Sequence, residues 1–280
     1  MATVDSRTAV RSADGTASSG RAVGKPGALA AYQPALIGGA AVVIFVAAWQ
    51  IVAAARIVPT LFLPAPTDIA LAFQQMFRNP EIWIDLQTSG IEVVYGFGLA
   101  IVVGLPLGIL MGWYRPIRYA LDPFMAFFYS VPRIALAPLL IIWFGIGIWS
   151  KVAVIFLGAF FPIAINAMAG IKSLDPLLLR AARSFGARDA QIFRTIALPG
   201  TVPFILTGIR LGIGHALIGV VVAELLAGQY GIGKLMQDSF AVFNMPTGFA
   251  ALIIIAASGV ILTIIIQRIE RRFDAWRPNR

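Results

Sequence analysis

The chain has 280 residues, of which 59% are hydrophobic and 12% are charged. An ordinary soluble domain carries about 25% charged residues, so this composition excludes a soluble globular protein of similar length. The sequence has no cysteine, which excludes disulfides, cysteine metal ligands and thiol nucleophiles. Its formal net charge of +9 fits either nucleic-acid binding or a membrane protein with basic loops, and the positions of the basic residues distinguish the two.

The N-terminal segment, residues 1–34, is rich in Ala, Ser, Gly and Arg and has no apolar periodicity. This composition predicts a disordered cytoplasmic tail. Residues 53–55 are three alanines that resemble a cleavage site, so a cleaved signal peptide is the alternative. Such a signal would have a leading region longer than 30 residues, which is unusual, and we therefore favour the tail.

Six apolar stretches have a length of about 20 residues, enough to cross a bilayer as α-helices. They are residues 35–54, 88–111, 122–145, 152–171, 202–225 and 248–267. The sequence therefore predicts an all-α membrane protein with six transmembrane helices in a domain that covers residues 35–268. Residues 269–280 are predicted to form a C-terminal cytoplasmic tail.

Two connecting segments have patterns of their own. In residues 55–87 apolar side chains recur at helical spacing, which predicts an amphipathic helix at the membrane surface or a loop packed on the bundle. These side chains are Ile69, Ala72, Phe73, Met76 and Phe77. Residues 226–247 contain three glycines and the sequence Asn244-Met245-Pro246, which indicates turns and predicts a docking rim.

Glycines recur in the second and fifth predicted spans, where they favour close contact between helices. They are Gly104, Gly108, Gly208, Gly212, Gly214 and Gly219. Together with the prolines of the second and third spans, the same positions also permit kinks that let helices rock around a central path. Tight packing and such motion are both consistent with the pattern.

The basic residues are unevenly distributed between the predicted loops. With the N-terminus inside, sixteen of the 22 Lys and Arg residues fall in cytoplasmic segments. The external segments hold four, namely Arg56, Arg78, Lys151 and Lys234. This asymmetry follows the positive-inside rule and predicts that both termini are cytoplasmic. The charge therefore reports membrane topology, and no nucleic-acid partner is predicted.

A charged segment, residues 175–203, lies between two predicted spans. Asp175 is suited to cap a helix that has Pro176 at its first position, and Gly186 is suited to end that helix. A second short amphipathic segment follows and is predicted to end before Pro199. Its apolar face consists of Ile192, Phe193 and Ile196. We call the helix–glycine–helix segment, residues 175–199, the elbow, and we expect it to dock a partner on one side of the membrane.

The elbow carries a family resemblance. Ala181-Ala182, then Gly186-Ala187 after three residues, and Leu198-Pro199 at the end of an apolar run resemble the "EAA" loop in permease subunits of binding-protein-dependent ABC importers. Other segments resemble the nitrate/sulfonate/taurine branch of these permeases. They are residues 63–67, 121–123, 131–132, 138–147, 160–163 and 206–211. This chain has Arg180 where the family has a leading Glu.

The resemblance implies a type I ABC importer permease in a bacterial inner membrane. Such a chain has no enzymatic activity and no cofactor of its own. A second copy would complete the path as a homodimer, and two ABC ATPase subunits on the cytoplasmic side would bind ATP and Mg. A periplasmic or extracellular substrate-binding protein would deliver a small anionic or zwitterionic solute, such as nitrate, a sulfonate or taurine.

The resemblance also implies that the elbow couples the permease to the ATPases. The residues at the matching positions, together with neighbouring elbow residues, are Arg180, Ala181, Ala182, Gly186, Ala187, Asp189, Phe193, Leu198 and Pro199. Neither Gly-Lys pair of the chain, at residues 24–25 and 233–234, fits a Walker A motif. The ATP site is therefore expected in a separate subunit.

Charged residues within apolar runs are costly in a membrane and usually functional. Four ionisable residues are therefore predicted to line the translocation path or a gate, namely Arg133, Arg210, His215 and Glu224. Each has a structural alternative. Arg133 can have an interfacial or intrahelical partner, Arg210 can snorkel or cap the elbow, and His215 can be packed. Glu224 can be exposed at the rim, or pair with Arg133 or a neighbouring chain.

Two other classes of protein remain as alternatives. A secondary transporter or channel driven by an ion gradient would need an ion site near the middle of the membrane and an internal repeat or broken helices. No repeat is visible, and the acidic residues lie near the ends of the predicted spans. An intramembrane enzyme would need a nucleophile–base pair or metal ligands, for which one histidine and no cysteine offer little. Co-purification of a stoichiometric ATPase would separate the importer from both.

Overall fold

The computed structural model describes residues 28–271, and every regular element in this range is a helix. The helices are α1 (Ala28–Ala54), α2 (Pro66–Arg78), α3 (Glu81–Trp113), α4 (Arg115–Ser130), α5 (Ala137–Phe144), α6 (Ile148–Lys172), α7 (Pro176–Ser184), α8 (Asp189–Ile192), α9 (Leu198–Ala227), α10 (Ile232–Ala241) and α11 (Met245–Arg271).

The predicted tails need a correction at their boundaries. Residues 28–34 are already helical in α1, and residues 269–271 still belong to α11, whereas both were expected to lie in the tails. The rest of the two predicted tails, residues 1–27 and 272–280, lies outside the described residues. The chain divides into two units, Met1–Ala48 and Trp49–Arg280. The second unit holds the helices from α2 to α11 and the last turns of α1.

Five helical stretches are long and apolar enough to cross a membrane, and a bent helix pair gives a sixth candidate. The five are Leu36–Ala54, Glu81–Trp113, Ile148–Lys172, Asp189–Ala227 and Met245–Ile269. The predicted third span, residues 122–145, corresponds to this bent pair, in which α4 and the helical segment Arg133–Phe144 meet at 88°. The break lies at Val131, whose backbone is extended before Pro132, as expected for a residue that precedes proline.

The core of the second unit is the packing of α6 between α3 and α9. Glycines on α3 face α6 so closely that a β-carbon on Gly108 would lie 2.2 Å from the Ala164 carbonyl oxygen. From α9, Gly208, Gly212 and Gly219 contact α6 in the same way. The predicted packing role of these glycines is confirmed. Gly214 is the exception, because a β-carbon there meets no described atom within 4 Å.

The predicted amphipathic helix at residues 55–87 is present as α2. Its residues Ile69, Ala72 and Met76 are buried against α10 and α11, in a cluster with Met236 and Ala250. Trp49 at the end of α1 donates a hydrogen bond to the Pro64 carbonyl oxygen over 3.1 Å and so fixes the connection before α2. The helix therefore packs on the bundle through Ile69, Ala72 and Met76.

Candidate functional site

The elbow begins with a capped helix, as predicted. The Asp175 carboxylate accepts a hydrogen bond from the Leu177 N–H over 2.7 Å. At the other end of α7, Gly186 has φ of +81°. The Ala187 N–H donates to the Ala182 carbonyl over 3.1 Å, and the Gly186 N–H donates to the Arg183 carbonyl over 2.9 Å. This pair of bonds is a complete Schellman motif, which ends the helix and turns the chain sharply.

The second half of the elbow differs from the prediction. It does not end before Pro199, because α8 continues through a π-helical turn, Phe193–Ala197, directly into α9. Pro199 is tolerated because it lies in the first turn of α9, just after this wider turn. Ile192 is fully buried, and Phe193 packs edge-on against Trp113 of α3 with ring centroids 5.3 Å apart. The elbow is therefore joined rigidly to a membrane-spanning helix.

The predicted coupling residues are distributed over the surface of the elbow. Arg180, Ala181, Gly186, Asp189 and Leu198 are exposed, and Ala182, Ala187, Phe193 and Pro199 are half-buried. Arg180 donates to the Pro176 carbonyl of its own helix. Asp189 forms an exposed ion pair with Arg183 over 3.3 Å, which links α8 to α7 across the turn.

Sequence reasoning missed the apolar residues that the elbow exposes. Phe185, next to the left-handed glycine, is 92% exposed, and Leu177 and Leu178 on α7 are 68% and 50% exposed. A phenylalanine at the end of an amphipathic helix would have been a signal, because soluble surfaces rarely expose such residues together. These three side chains form an apolar face, which we call the elbow face.

Arg133 and His215 are brought together at one cavity of about 380 Å³. Arg133 lies in a short 3₁₀ turn between α4 and α5, and its Nη1 donates to the Gly158 carbonyl of α6 over 3.1 Å. Its guanidinium also lies over the rings of Tyr129 and Phe161, at 5.3 and 5.7 Å from their centroids. The Nδ1 of His215 lies 2.9 Å from the Leu211 carbonyl oxygen. The cavity thus combines one cation, an imidazole and the ring of Tyr129.

Arg210 and Glu224 do not line this cavity. Arg210 is half-buried in α9, between the elbow and His215. Glu224 is fully buried near the other end of α9 and does not pair with Arg133. Its carboxylate accepts a hydrogen bond from Ser89 Oγ over 2.5 Å and another from the Gly233 N–H over 2.6 Å.

A buried ion pair lies beside Glu224. Lys151 of α6 pairs with Glu92 of α3, and both side chains are almost completely buried. The sequence placed Lys151 in an external segment, whereas the structure places it in the first turn of α6. Removing one partner would leave a buried charge without compensation, so this pair holds α3 and α6 together at this end. No group of three or more acidic or histidine side chains suited to a metal occurs between residues 28 and 271.

Comparison with known proteins identifies the family. Residues 104–275 match the family model of the binding-protein-dependent transport system inner membrane component. The chain belongs to this family. It is 36% identical over 245 residues to the taurine transport system permease protein TauC of Escherichia coli, a match that covers 86% of this chain and 88% of TauC. It is also 36% identical over 236 residues to the putative aliphatic sulfonates transport permease protein SsuC of Bacillus subtilis, which covers 84% and 86%.

A solved structure has the same fold. An inward-facing conformation of the MetNI methionine ABC transporter aligns with a TM-score of 0.58 at 23% identity, over 71% of this chain and 99% of the other. The predicted all-α, type I importer architecture and the predicted branch of the family are thus confirmed. The chain is a multi-pass permease subunit of an ABC importer, and its family implies an ATPase and a binding protein as partners.

Proposed function

We propose that this permease carries a small anionic or zwitterionic solute, such as taurine, another sulfonate or nitrate. Two copies form the path as a homodimer. Separate ATPase subunits bind ATP and Mg on the side of the elbow, and a binding protein delivers the solute on the side of α10. The similarity to TauC and to SsuC, each over more than four fifths of this chain, supports a solute of this class.

The observation that carries the proposal for the solute is the cavity at Arg133. The bond to Gly158 uses one of the five N–H donors of the guanidinium, and the two aromatic rings hold its plane. A guanidinium with free donors can form two parallel hydrogen bonds to a sulfonate, carboxylate or nitrate. Arg133 is therefore proposed to contact the anionic group during passage, in a cavity that His215 also lines.

The elbow is proposed as the contact with the ATPase. Burying an exposed phenylalanine stabilises a complex by about 1.5–3 kcal/mol, and Phe185 offers this area with little loss of backbone freedom because the Schellman motif fixes its position. The exposed leucines of the elbow face extend the same apolar surface. The neighbouring charges of Arg180, Arg183 and Asp189 provide a polar rim.

The orientation of the chain in the membrane is proposed from the distribution of its basic residues. The elbow carries four Arg residues between Arg180 and Arg194, and basic loops favour the cytoplasmic side. This orientation places the elbow, the N-terminus and the C-terminus in the cytoplasm, with α10 outside. It is also the only orientation in which the elbow reaches a cytoplasmic ATPase.

One experiment tests the transport proposal as a whole. The chain is tagged, purified from its natural host together with bound proteins, and reconstituted in liposomes with the binding protein. We expect a stoichiometric ATPase to co-purify, and labelled taurine, ethanesulfonate or nitrate to accumulate only with ATP. Accumulation driven by an ion gradient without ATP, or failure of all three solutes to accumulate, would contradict the proposal.

The elbow face has its own matched pair of variants. Phe185→Ala removes most of the proposed contact area, so the amount of co-purified ATPase should fall about tenfold or more. Phe185→Leu keeps an apolar side chain of similar size and should retain more than half. Equal retention of the ATPase by both variants would show that Phe185 does not touch it.

A further inference from the structure

The first turn of α10 is bound in an unusual way. The N–H groups of three consecutive residues, Gly231, Ile232 and Gly233, each donate a hydrogen bond to a side chain of another helix. Asp85 accepts from Gly231 over 2.8 Å, Ser89 accepts from Ile232 over 2.9 Å, and Glu224 accepts from Gly233 over 2.6 Å. Helices usually satisfy these donors with their own N-cap side chain, but the N-cap of α10 is Gly231, which has none.

The two glycines are required by this arrangement. Gly231 has φ of +129°, and a β-carbon on it would lie 2.3 Å from Glu224 Cδ. A β-carbon on Gly233 would lie 2.8 Å from Glu224 Oε2. Any other residue at either position must displace the Glu224 carboxylate or move α10. We call Asp85, Ser89 and Glu224 the α10 clamp.

The α10 clamp joins three helices. Ser89 donates to Glu224 over 2.5 Å, so the clamp joins α3 to α9 as well as both helices to α10. The helix that carries Glu224 continues without a break through the π-helical turn into the elbow. A continuous chain of contacts therefore runs from α10 through α9 to the elbow.

We propose that Asp85, Ser89 and Glu224 are positioning residues that fix α10 to α3 and α9, so that a binding protein docked on the α10 side acts on the elbow through α9. This inference rests on the proposed docking of a binding protein at α10. It assigns Glu224 to signal transmission between the two partners, and it explains why its carboxylate is buried away from the Arg133 cavity.

The first test measures the clamp without partners. Spin labels are placed at Gln87→Cys on α3 and Gln237→Cys on α10, two exposed positions in a chain without native cysteine. In nanodiscs, the distance between the labels should have a single narrow distribution. Glu224→Leu and Gly233→Ala should at least double its width. Glu224→Gln should keep it narrow, because the amide oxygen still accepts from Gly233.

The second test measures coupling in the complete transporter. Glu224→Leu and Gly233→Ala should reduce the stimulation of ATP hydrolysis by the binding protein at least fivefold, while basal hydrolysis changes less than twofold. Glu224→Gln should retain more than half of the stimulation. A purely structural role would not lower the stimulation while leaving basal hydrolysis nearly unchanged. Gly214→Ala is the control for a helix glycine, because its β-carbon enters open space.

The outcomes separate the inference from the function it rests on. If wild-type transporter shows no stimulation by the binding protein, the proposed docking is wrong. If stimulation is normal in the wild type and also in Glu224→Leu and Gly233→Ala, the inference is overturned. Should Glu224→Leu fail to assemble, stimulation is compared in Gly233→Ala and in Asp85→Ala, a half-buried position of the clamp, and normal stimulation in both overturns the inference. Loss of assembly in all three would show that the clamp serves folding alone and would overturn the inference.

Discussion

Arg133 shows how packing can orient a side chain and still leave its charge available to an anion. Its backbone lies in a four-residue 3₁₀ turn, and the carbonyl of Gly158 is free to accept from it across the interface with α6. Contacts of a cation with aromatic faces contribute about 0.5–1 kcal/mol at partly exposed sites, so Tyr129 and Phe161 orient the guanidinium without neutralising it. An uncompensated positive charge at a cavity attracts an anion.

We expect Arg133→Gln to lower uptake of an anionic solute about tenfold or more at normal expression. Arg133→Lys should give an intermediate rate, because lysine keeps the charge but loses the planar pair of donors. Arg118→Gln is the matched control, since Arg118 also lies over a tyrosine ring, that of Tyr119, but outside the cavity. Initial uptake rates in membrane vesicles measure the effect. Equal rates in Arg133→Gln and Arg118→Gln would remove Arg133 from the path.

At the scale of elements, the elbow depends on one backbone conformation. The left-handed region costs a residue with a β-carbon roughly 1–2 kcal/mol, and asparagine adopts it more readily than other residues. A β-carbon on Gly186 would meet no atom within 4 Å, so backbone strain is the whole cost of a substitution there. Substitutions at Gly186 therefore test the turn without disturbing any packing.

Gly186→Val should misplace α8 relative to α7, whereas Gly186→Asn should be tolerated. For Gly186→Val we expect a membrane-inserted permease that retains little ATPase and whose ATP hydrolysis no longer responds to the binding protein. Co-purification and ATPase assays on both variants measure this. Wild-type transport by Gly186→Val would mean that the elbow does not couple the two subunits.

The contact between α3 and α6 is a second element-scale feature. Four glycines of α3, at positions 96, 104, 108 and 112, face α6 closely, and those at 96, 104 and 108 lie against its backbone carbonyls. The atom opposite Gly108 belongs to the backbone of Ala164, which cannot move aside as a flexible side chain could. An added methyl group must therefore separate the two helices.

Gly108→Ala should destabilise the protein by about 1–3 kcal/mol, as overpacked cores do, and lower its thermal unfolding midpoint in detergent by several degrees. The matched control is Gly98→Ala on the same helix, where a β-carbon meets no atom within 4 Å. A fluorescence-monitored melt of the two purified variants compares them directly. An unchanged midpoint for Gly108→Ala would show that α3 and α6 are less tightly packed.

At the scale of the whole molecule, the two ends of α9 have different chemistry. One end joins the basic, apolar-faced elbow, and the other holds the α10 clamp and the buried Glu92–Lys151 pair. The 30 residues of α9 span about 45 Å at 1.5 Å per residue, which exceeds the hydrocarbon thickness of a bilayer. The helix is therefore long enough to connect the two partners proposed for opposite sides of the membrane.

The proposed orientation predicts which positions a membrane-impermeant thiol reagent reaches in intact cells. Gln237→Cys on α10 should be labelled from outside, whereas Lys25→Cys and Arg277→Cys should react only after the membrane is opened. The absence of native cysteine gives a clean background. Labelling of either terminal position in intact cells would mean that the orientation is reversed or that the number of spans differs from six.

The sequence determined the features that depend on local chemistry. Apolar length predicted the membrane-spanning helices, and the Asp175-Pro176 start with Gly186 predicted the first half of the elbow, because caps and left-handed turns involve neighbouring residues only. The continuation through Pro199 escaped sequence reasoning, since a π-helical turn has no composition that distinguishes it. The bend at Val131 was suggested by Pro132, but its 88° angle was not.

Only the tertiary structure decided which charges meet. Ser89 and Glu224 are 135 positions apart, and Glu92 and Lys151 are 59 apart, so no periodicity relates them. Pairing with Arg133 was one alternative for Glu224, yet its partners are the Ser89 hydroxyl and the Gly233 N–H, supplied by packing of α3 and α10 on α9. Burial makes such contacts strong and obligatory, because a buried polar group must find a partner that only the assembled bundle provides.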